Sequence, residues 1–357
     1  MEPLEGVRIL AVEHVGAAPY GTMFLASLGA DVLRIEHGDP ARRTGPHLFG
    51  DNDSQYFQTF SLNKRAIWLD LKREREKFHA LVKEADAVMN NLRGDQPAKL
   101  GIDYASLAPV NPAIVCAHLS AYGRDNERST WPGYDFLMQA ECGLMSLTGE
   151  PSGPPARYGT SIIDCMSGMT AAAGLLACLL KAKKTGKGCD VDTSLYEVAL
   201  HQLNYAGTWY LNEGDVSTRQ PRGAHLSLTP VQTFPTADGW IFIMCMADHF
   251  WSALADELRL EPDERFNTAK GRLQHRAALT EVLDAAFRRH PTRHWLKTMR
   301  GKVPIAPVND VAQALENPFV KSIGMVQDAP HPARPDFRVL ATPVKVDGKR
   351  PKPKVCK

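Results

Sequence analysis

An α/β fold with a parallel sheet and helices on both faces, joined to a smaller α+β domain, is the expectation from this 357-residue chain. Three observations carry it. From Val7 onward, short apolar runs alternate with helical stretches, the pattern of repeated βαβ units. Between Asn212 and Pro230 that pattern stops, and Gly, Ser, Gln, Arg and Pro cluster as they do in linkers and exposed loops. Beyond Pro230, an Asp-Gly pair between apolar runs marks a hairpin that is followed by helices.

Taken in order, Val7 to Val12 reads as a first strand and Pro19 to Leu28 as a helix, with Pro19 in its first turn and Gly29 closing it. Asp31 to Glu36 alternates as a second strand. Ala66 to Leu71, Ala87 to Leu92 and Ala113 to Leu119 read as further strands, with an amphipathic helix over Arg73 to Asp86. A buried helix is expected to begin near Asp164, because Met166 to Leu180 is small or apolar apart from Ser167 and Thr170. After a linker over 213–229, the residues from Pro230 to Met246 read as the hairpin. Helices are expected near 248–259, 275–289 and 291–300, with Thr280 and Thr292 as caps. From about 318 the chain is Pro-rich and extended, and its last ten residues are expected to be loose. Sheets of this kind bind ligands at the carboxyl ends of their strands.

Composition narrows the function. With 42 Lys and Arg against 40 Asp and Glu, the formal net charge of +2 gives no electrostatic footprint for nucleic acid or membrane. The seven cysteines are scattered, odd in number and without a Cys-x-x-Cys pair, which argues against a zinc site or a disulfide frame and for a reducing compartment. The acidic Met1 to Glu5 stretch is unlike a signal peptide, and no apolar run approaches the roughly 18 residues of a membrane helix. A cytoplasmic protein without a metal site is the expectation.

Four places could carry chemistry. The loop His14-Val15-Gly16-Ala17-Ala18-Pro19-Tyr20-Gly21 follows the first strand and could cradle phosphate at a helix N-terminus, though it lacks Gly-x-Gly-x-x-Gly and Gly16 alone could explain a tight turn. Lys64, Arg65, Lys72, Arg93 and Lys99 lie near strand ends, where cations are usually solvated; Asn91-Leu92-Arg93-Gly94 is the stronger signal, at the expected ligand edge. A Ser/His/Asp triad is rejected for want of a Gly-x-Ser-x-Gly elbow. Asp164 is either a helix-capping carboxylate, worth about 1 kcal/mol, or a nucleophile that is an anion at neutral pH because an unperturbed Asp titrates near 3.9. On these residues alone the cap is the simpler reading.

The chain resembles the class III acyl-CoA transferases, the CaiB/BaiF-type family. The matching segments are Leu4-Glu5-Gly6-Val7-Arg8-Ile9-Leu10, Gly29-Ala30-Asp31-Val32-Leu33-Arg34-Ile35-Glu36 and Asn63-Lys64-Arg65-Ala66-Ile67-Trp68-Leu69-Asp70-Leu71-Lys72. Ala85-Asp86-Ala87-Val88, Leu100-Gly101-Ile102-Asp103-Tyr104, Tyr134-Asp135 with Gln139-Ala140, and Thr236-Ala237-Asp238-Gly239 continue the match in order and spacing over most of the chain. The resemblance implies an interlocked homodimer in which a Rossmann-like CoA-binding domain (1–212) and a small domain (230–317) are joined by long linkers, with 318–357 returning to the large domain. It implies that Asp164 is the catalytic aspartate, forming an acyl anhydride and then an aspartyl-CoA thioester. His14, Val15, Gly16 and Ala17 would line the thioester end of CoA, Leu69 and Lys72 would flank the nucleotide, and Asn91 and Leu92 would meet pantetheine or adenine. Lys99 would meet a phosphate in place of the arginine of many relatives. CoA and acyl-CoA would be substrates, with a small carboxylic acid as acceptor and no tightly bound cofactor.

Three departures from the family pattern stand out. Gly16 occupies the place of a glutamine that, in one branch, bonds reaction intermediates, so another donor must replace it. His37 stands where that branch has an arginine near the CoA phosphates. Arg222 to Leu228 replaces a glycine-run lid, which argues against formyl-CoA/oxalate specificity. The main rival is an α-methylacyl-CoA racemase, which needs two acid/base groups; its His-Asp pair is here Tyr134-Asp135 after Gly133, which favours transfer. A catalytically silent CoA-binding protein is the third alternative. Arg157, Arg222 and His225 are candidates to receive a second carboxylate, and the 221–230 loop to cover the site.

Overall fold

The computed structural model describes residues 2–357. They form two compact units, one of residues 2–142, 158–204 and 317–357, the other of 143–157 and 205–316. In the first unit six parallel strands form one sheet: β1 (Arg8–Val12), β2 (Asp31–Glu36), β3 (Arg65–Trp68), β4 (Ala87–Asn90), β5 (Val115–Ser120) and β6 (Cys189–Ser194). Their order is β3-β2-β1-β4-β5-β6, a doubly wound arrangement whose order reverses between β1 and β4. Central strands such as Val115–Ser120 are buried along their whole length, as strands covered on both faces must be.

β6 was not expected from the sequence. Its Cys-Asp-Val-Asp-Thr-Ser run is half-buried at the sheet edge, and its polar alternation hides it among loop signals. Two expected strands stop short. β3 ends at Trp68, after which Leu69 turns into the Asp70–Arg73 turn, and β4 ends at Asn90.

Helix α1 (Ala17–Ser27) follows β1, α2 (Arg75–Val82) packs Phe78 and Val82 into the core, and α3 (Asp135–Glu141) precedes the 24-residue α4 (Ile162–Thr185). α1 and α4 cross in backbone contact. A Cβ on Gly21 would lie 2.2 Å from the Gly168 carbonyl oxygen, and one on Gly168 would lie 2.2 Å from that of Ala17. This close approach brings the start of α1 beside the start of α4. The expectation that no segment reaches membrane-spanning length is corrected: by length and composition alone α4 is long and apolar enough. It packs against α1, β5 and β6.

The tail is also corrected. Residues 354–357 run beside β3: the Asn63 amide donates to the Lys354 carbonyl at 2.7 Å, and that of Ala66 to the Lys357 carbonyl at 2.7 Å. The Cys356 amide donates to Gln58 Oε1 at 2.8 Å, so the segment is tied rather than loose.

In the second unit, β7 (Val231–Pro235), β8 (Trp240–Met244) and β9 (Ile305–Pro307) form an antiparallel sheet. Helices α5 (Asp248–Leu258), α6 (Arg276–Phe287) and α7 (Thr292–Met299) share a core with it built on Phe234, Ile243, Leu283, Phe287 and Trp295. The expected caps differ. Thr280 lies inside α6 and accepts from Gln232. Thr292 is the first residue of α7, and its amide is capped by Asp238 at 2.7 Å.

Candidate active site

At the order reversal, the carboxyl ends of β1, β4 and β5 open into a cavity of about 500 Å³. His14, Val15, Gly16, Ala17, His37, Asn91 and Leu92 line it together with Asp164. Trp131, Pro132, Gly133, Tyr134 and Leu195 add an aromatic and apolar wall that sequence reasoning did not assign. A second chamber of about 230 Å³ is lined by Leu69, Lys72, Gln96 and Leu100 and shares His14, His37 and Leu92 with the first. The two chambers are therefore contiguous, one holding Asp164 and the other Lys72. His14 Nδ1 is buried without a hydrogen-bond partner among the described residues. The His37 ring lies 4.9 Å from that of Trp68, which is 66% exposed.

Lys99 lines neither chamber. Its ammonium lies 2.6 Å from Asp95, which Arg93 also engages through two nitrogens. Hydrogen bonds from Arg93 and then Lys99 hold the Asp95 carboxyl well below the usual carboxylate range. Among the other cations near strand ends, Arg65 pairs with Asp31 at 2.7 Å. Lys64 is fully buried, not solvated: its ammonium is 2.7 Å from Glu13 and also donates to Thr22 and the Pro19 carbonyl. Burial pulls its pKa down to about 8 against the attraction of Glu13.

Asp164 is the third residue of α4, after Ser161 at the N-cap, which makes no side-chain cap bond. The capping role falls to another residue. Asp135, at the start of α3, accepts the Asp164 amide at 2.9 Å through Oδ2. Its Oδ1 accepts from Gln139, whose own Oε1 accepts the Tyr158 amide at 2.9 Å. The Asp164 side chain is thus released from capping its own helix. Burial and then the nearby Asp135 charge push its pKa up to about 7. This corrects the expectation of a fully ionised side chain. The helix dipole favours the anion by only about 0.3–1 kcal/mol at such positions, less than desolvation and a second carboxylate oppose it.

Gly16 sits directly against this carboxylate: a Cβ there would lie 2.9 Å from Asp164 Oδ2. Any side chain at position 16 would therefore have to displace it. Asn91 uses its Oδ1 to accept the His14 amide at 2.9 Å and its Nδ2 to donate to the His14 carbonyl at 2.7 Å. It braces the loop as well as lining the cavity. Arg222 and His225 belong to the second unit, as does Arg157. Arg222 is neutralised by Asp284 at 2.6 Å, and burial, then Arg276, lower the His225 pKa.

A doubly wound sheet with a cavity at its order reversal and a carboxylate in the cavity wall is the arrangement of an α/β protein that binds a ligand at its strand ends. The family model of CoA-transferase family III matches residues 4–355. The chain belongs to that family and is a class III CoA-transferase. It is 33% identical to the acetyl-CoA:oxalate CoA-transferase of Acetobacter aceti over 91% of this chain and 85% of that one. It is 30% identical to the succinyl-CoA:mesaconate CoA-transferase of Haloarcula marismortui over 99% and 92%. A crystal structure of a CaiB/BaiF family protein from Brucella suis superimposes with a TM-score of 0.85 at 31% identity, covering 98% of this chain and 94% of the other.

Proposed function

We propose that this chain moves CoA between small carboxylic acids, with Asp164 as the acyl-accepting group. The observation that carries the reading is the Asp164 carboxylate, half-buried at the cavity wall and released from capping by Asp135. The carboxylate attacks the thioester carbonyl; the C–S bond breaks, leaving a mixed anhydride and CoA thiolate. The thiolate attacks the Asp164 carbonyl carbon, and the donor acid departs carrying one Asp164 oxygen. The acceptor acid then attacks the aspartyl thioester, releasing CoA thiolate and forming a second anhydride. Attack of the thiolate on the acceptor's carbonyl gives the new acyl-CoA and restores Asp164 with one oxygen from the acceptor. The first amides of α1 have no acceptor within the helix, and Ala17 lines the cavity. They supply the donor that position 16 lacks as a side chain.

CoA would lie along both chambers, with its thioester at Asp164 and its nucleotide toward Leu69 and Lys72. The His37–Trp68 pair offers a surface for its base. Relatives named for oxalate, mesaconate and glutarate support short dicarboxylic acids as the substrate class. Tyr134, at the place of a racemase histidine, favours transfer over racemisation. In a panel of succinyl-CoA and acetyl-CoA donors against oxalate, mesaconate and glutarate, we expect at least one pair to exchange CoA with ping-pong kinetics. Asp164→Ala should abolish that exchange. Full activity in Asp164→Ala contradicts the proposal, and α-proton exchange without CoA exchange supports the racemase.

We also propose an interlocked homodimer in the cytoplasm. Exposed apolar residues support the dimer, Leu180 on α4 and Leu211 among them, and seven free cysteines support a reducing compartment. Light scattering should give a two-chain mass; a one-chain mass would contradict the dimer.

A further inference from the structure

The loop that presents Gly16 to Asp164 contains a conformational anomaly. Val15 has φ +58°, in the left-handed region. A β-branched residue is disfavoured there because its Cβ crowds the following carbonyl, so such a residue persists only where its surroundings hold it. Those surroundings are specific. The Val15 amide donates to Asp39 Oδ1 at 3.3 Å, and the same oxygen accepts the Ala41 amide at 2.9 Å. Asp39 Oδ2 is fixed by Arg34 Nη2 at 2.6 Å. Arg34 is 1% exposed and Asp39 5%, so their ion pair is shielded from bulk water. Arg34 Nη2 also donates to the Glu13 carbonyl at 3.3 Å, and Asn91 holds both backbone groups of His14. Every peptide from Glu13 to Val15 is therefore tethered up to the residue that touches Asp164.

We propose that Asp39 is a positioning residue for the transfer reaction. It holds Val15 in the left-handed conformation and so sets Gly16 and the start of α1 against the Asp164 carboxylate. This rests on Asp164 being the acyl acceptor. Without Asp39, Val15 relaxes toward an extended conformation and the backbone at Gly16 swings away. The coenzyme still binds through the second chamber, which Asp39 does not line, but the reacting groups lose register. The loss is therefore one of rate, not of affinity. Glycine adopts the left-handed conformation without that crowding, so Val15→Gly should compensate for the loss of Asp39.

The test uses the full chain and two readouts: CoA affinity by calorimetry, and the rate at which acyl-CoA yields a hydroxylamine-labile enzyme adduct. Asp39→Ala should slow adduct formation by about a hundredfold, the effect of misplacing a reacting group by an ångström. Its CoA affinity should stay within about twofold. Adding Val15→Gly to Asp39→Ala should recover at least about tenfold of that rate. A slow Asp39→Ala that Val15→Gly does not improve, or an Asp39→Ala with unchanged rate, overturns the inference. Should Asp39→Ala fail to fold, Asp39→Asn replaces it. Its amide oxygen can still accept the Val15 amide, so its rate should fall by less than about threefold while its melting temperature drops. A hundredfold loss there overturns the inference as well. Absence of any adduct in the wild-type chain removes the reading of Asp164 and this inference with it. An adduct that forms but ignores Asp39 removes this inference alone.

Discussion

Asp164 and Asp135 divide between them two jobs that one carboxylate could do. Asp135 caps α4 from outside the helix, and its charge adds to the desolvation that pushes Asp164 up to about 7. The ionised form is the nucleophile, so kcat/KM should fall about tenfold per pH unit on the acid side of an apparent pKa near 7. Asp135→Asn keeps an oxygen for the Asp164 amide but removes the repelling charge. Its acid limb should therefore shift to lower pH, because the Asp135 charge raises the pKa and its loss lowers it. An unshifted limb would show that Asp135 does not tune the nucleophile. Asp164 is legible in the sequence as an acidic residue ahead of an apolar run. The choice between cap and nucleophile is not legible locally, because the deciding residue is 29 positions away. Lys64 misleads in the same way: beside Arg65 it looks like surface, yet Glu13, 51 positions earlier, buries it as a pair.

At the scale of elements, the site depends on how closely α1 and α4 approach. The Gly21–Gly168 crossing leaves no room for a methyl group, since the obstructing atoms are backbone carbonyls. Gly168→Ala should cost about 1–3 kcal/mol through overpacking, read as a lower melting temperature, and should slow adduct formation by moving Gly16 off Asp164. Gly159→Ala is the control, because a Cβ there meets nothing within 4 Å. Equal melting temperatures for the two variants would mean that the crossing is slack. The helices themselves follow from apolar content, but neither glycine announces the contact; each reads as a small residue in a helical run. Strands β1 and β4 are legible because both faces are covered and their residues are mostly apolar, and β2 is legible from its alternation. β6 is not, because an edge strand can carry Asp190 and Asp192, which pair with His118 and Arg124.

For the whole molecule, the doubly wound order is what places a helix N-terminus, a strand-end asparagine and a distant carboxylate around one cavity. Alternating elements forecast that sheet. They do not forecast that the last residues lie along β3, because a Pro- and Lys-rich tail carries no periodic signal. A complete turnover ties these parts together, since each cycle must pass an oxygen through the enzyme. The most direct test is to supply an acceptor acid labelled with oxygen-18 in its carboxylate and to analyse the peptide containing Asp164 by mass spectrometry after turnover in unlabelled water. The mechanism predicts at least one heavy oxygen at Asp164 and heavy oxygen in donor acid released over later cycles. CoA transfer at full rate with no label at Asp164 would contradict it.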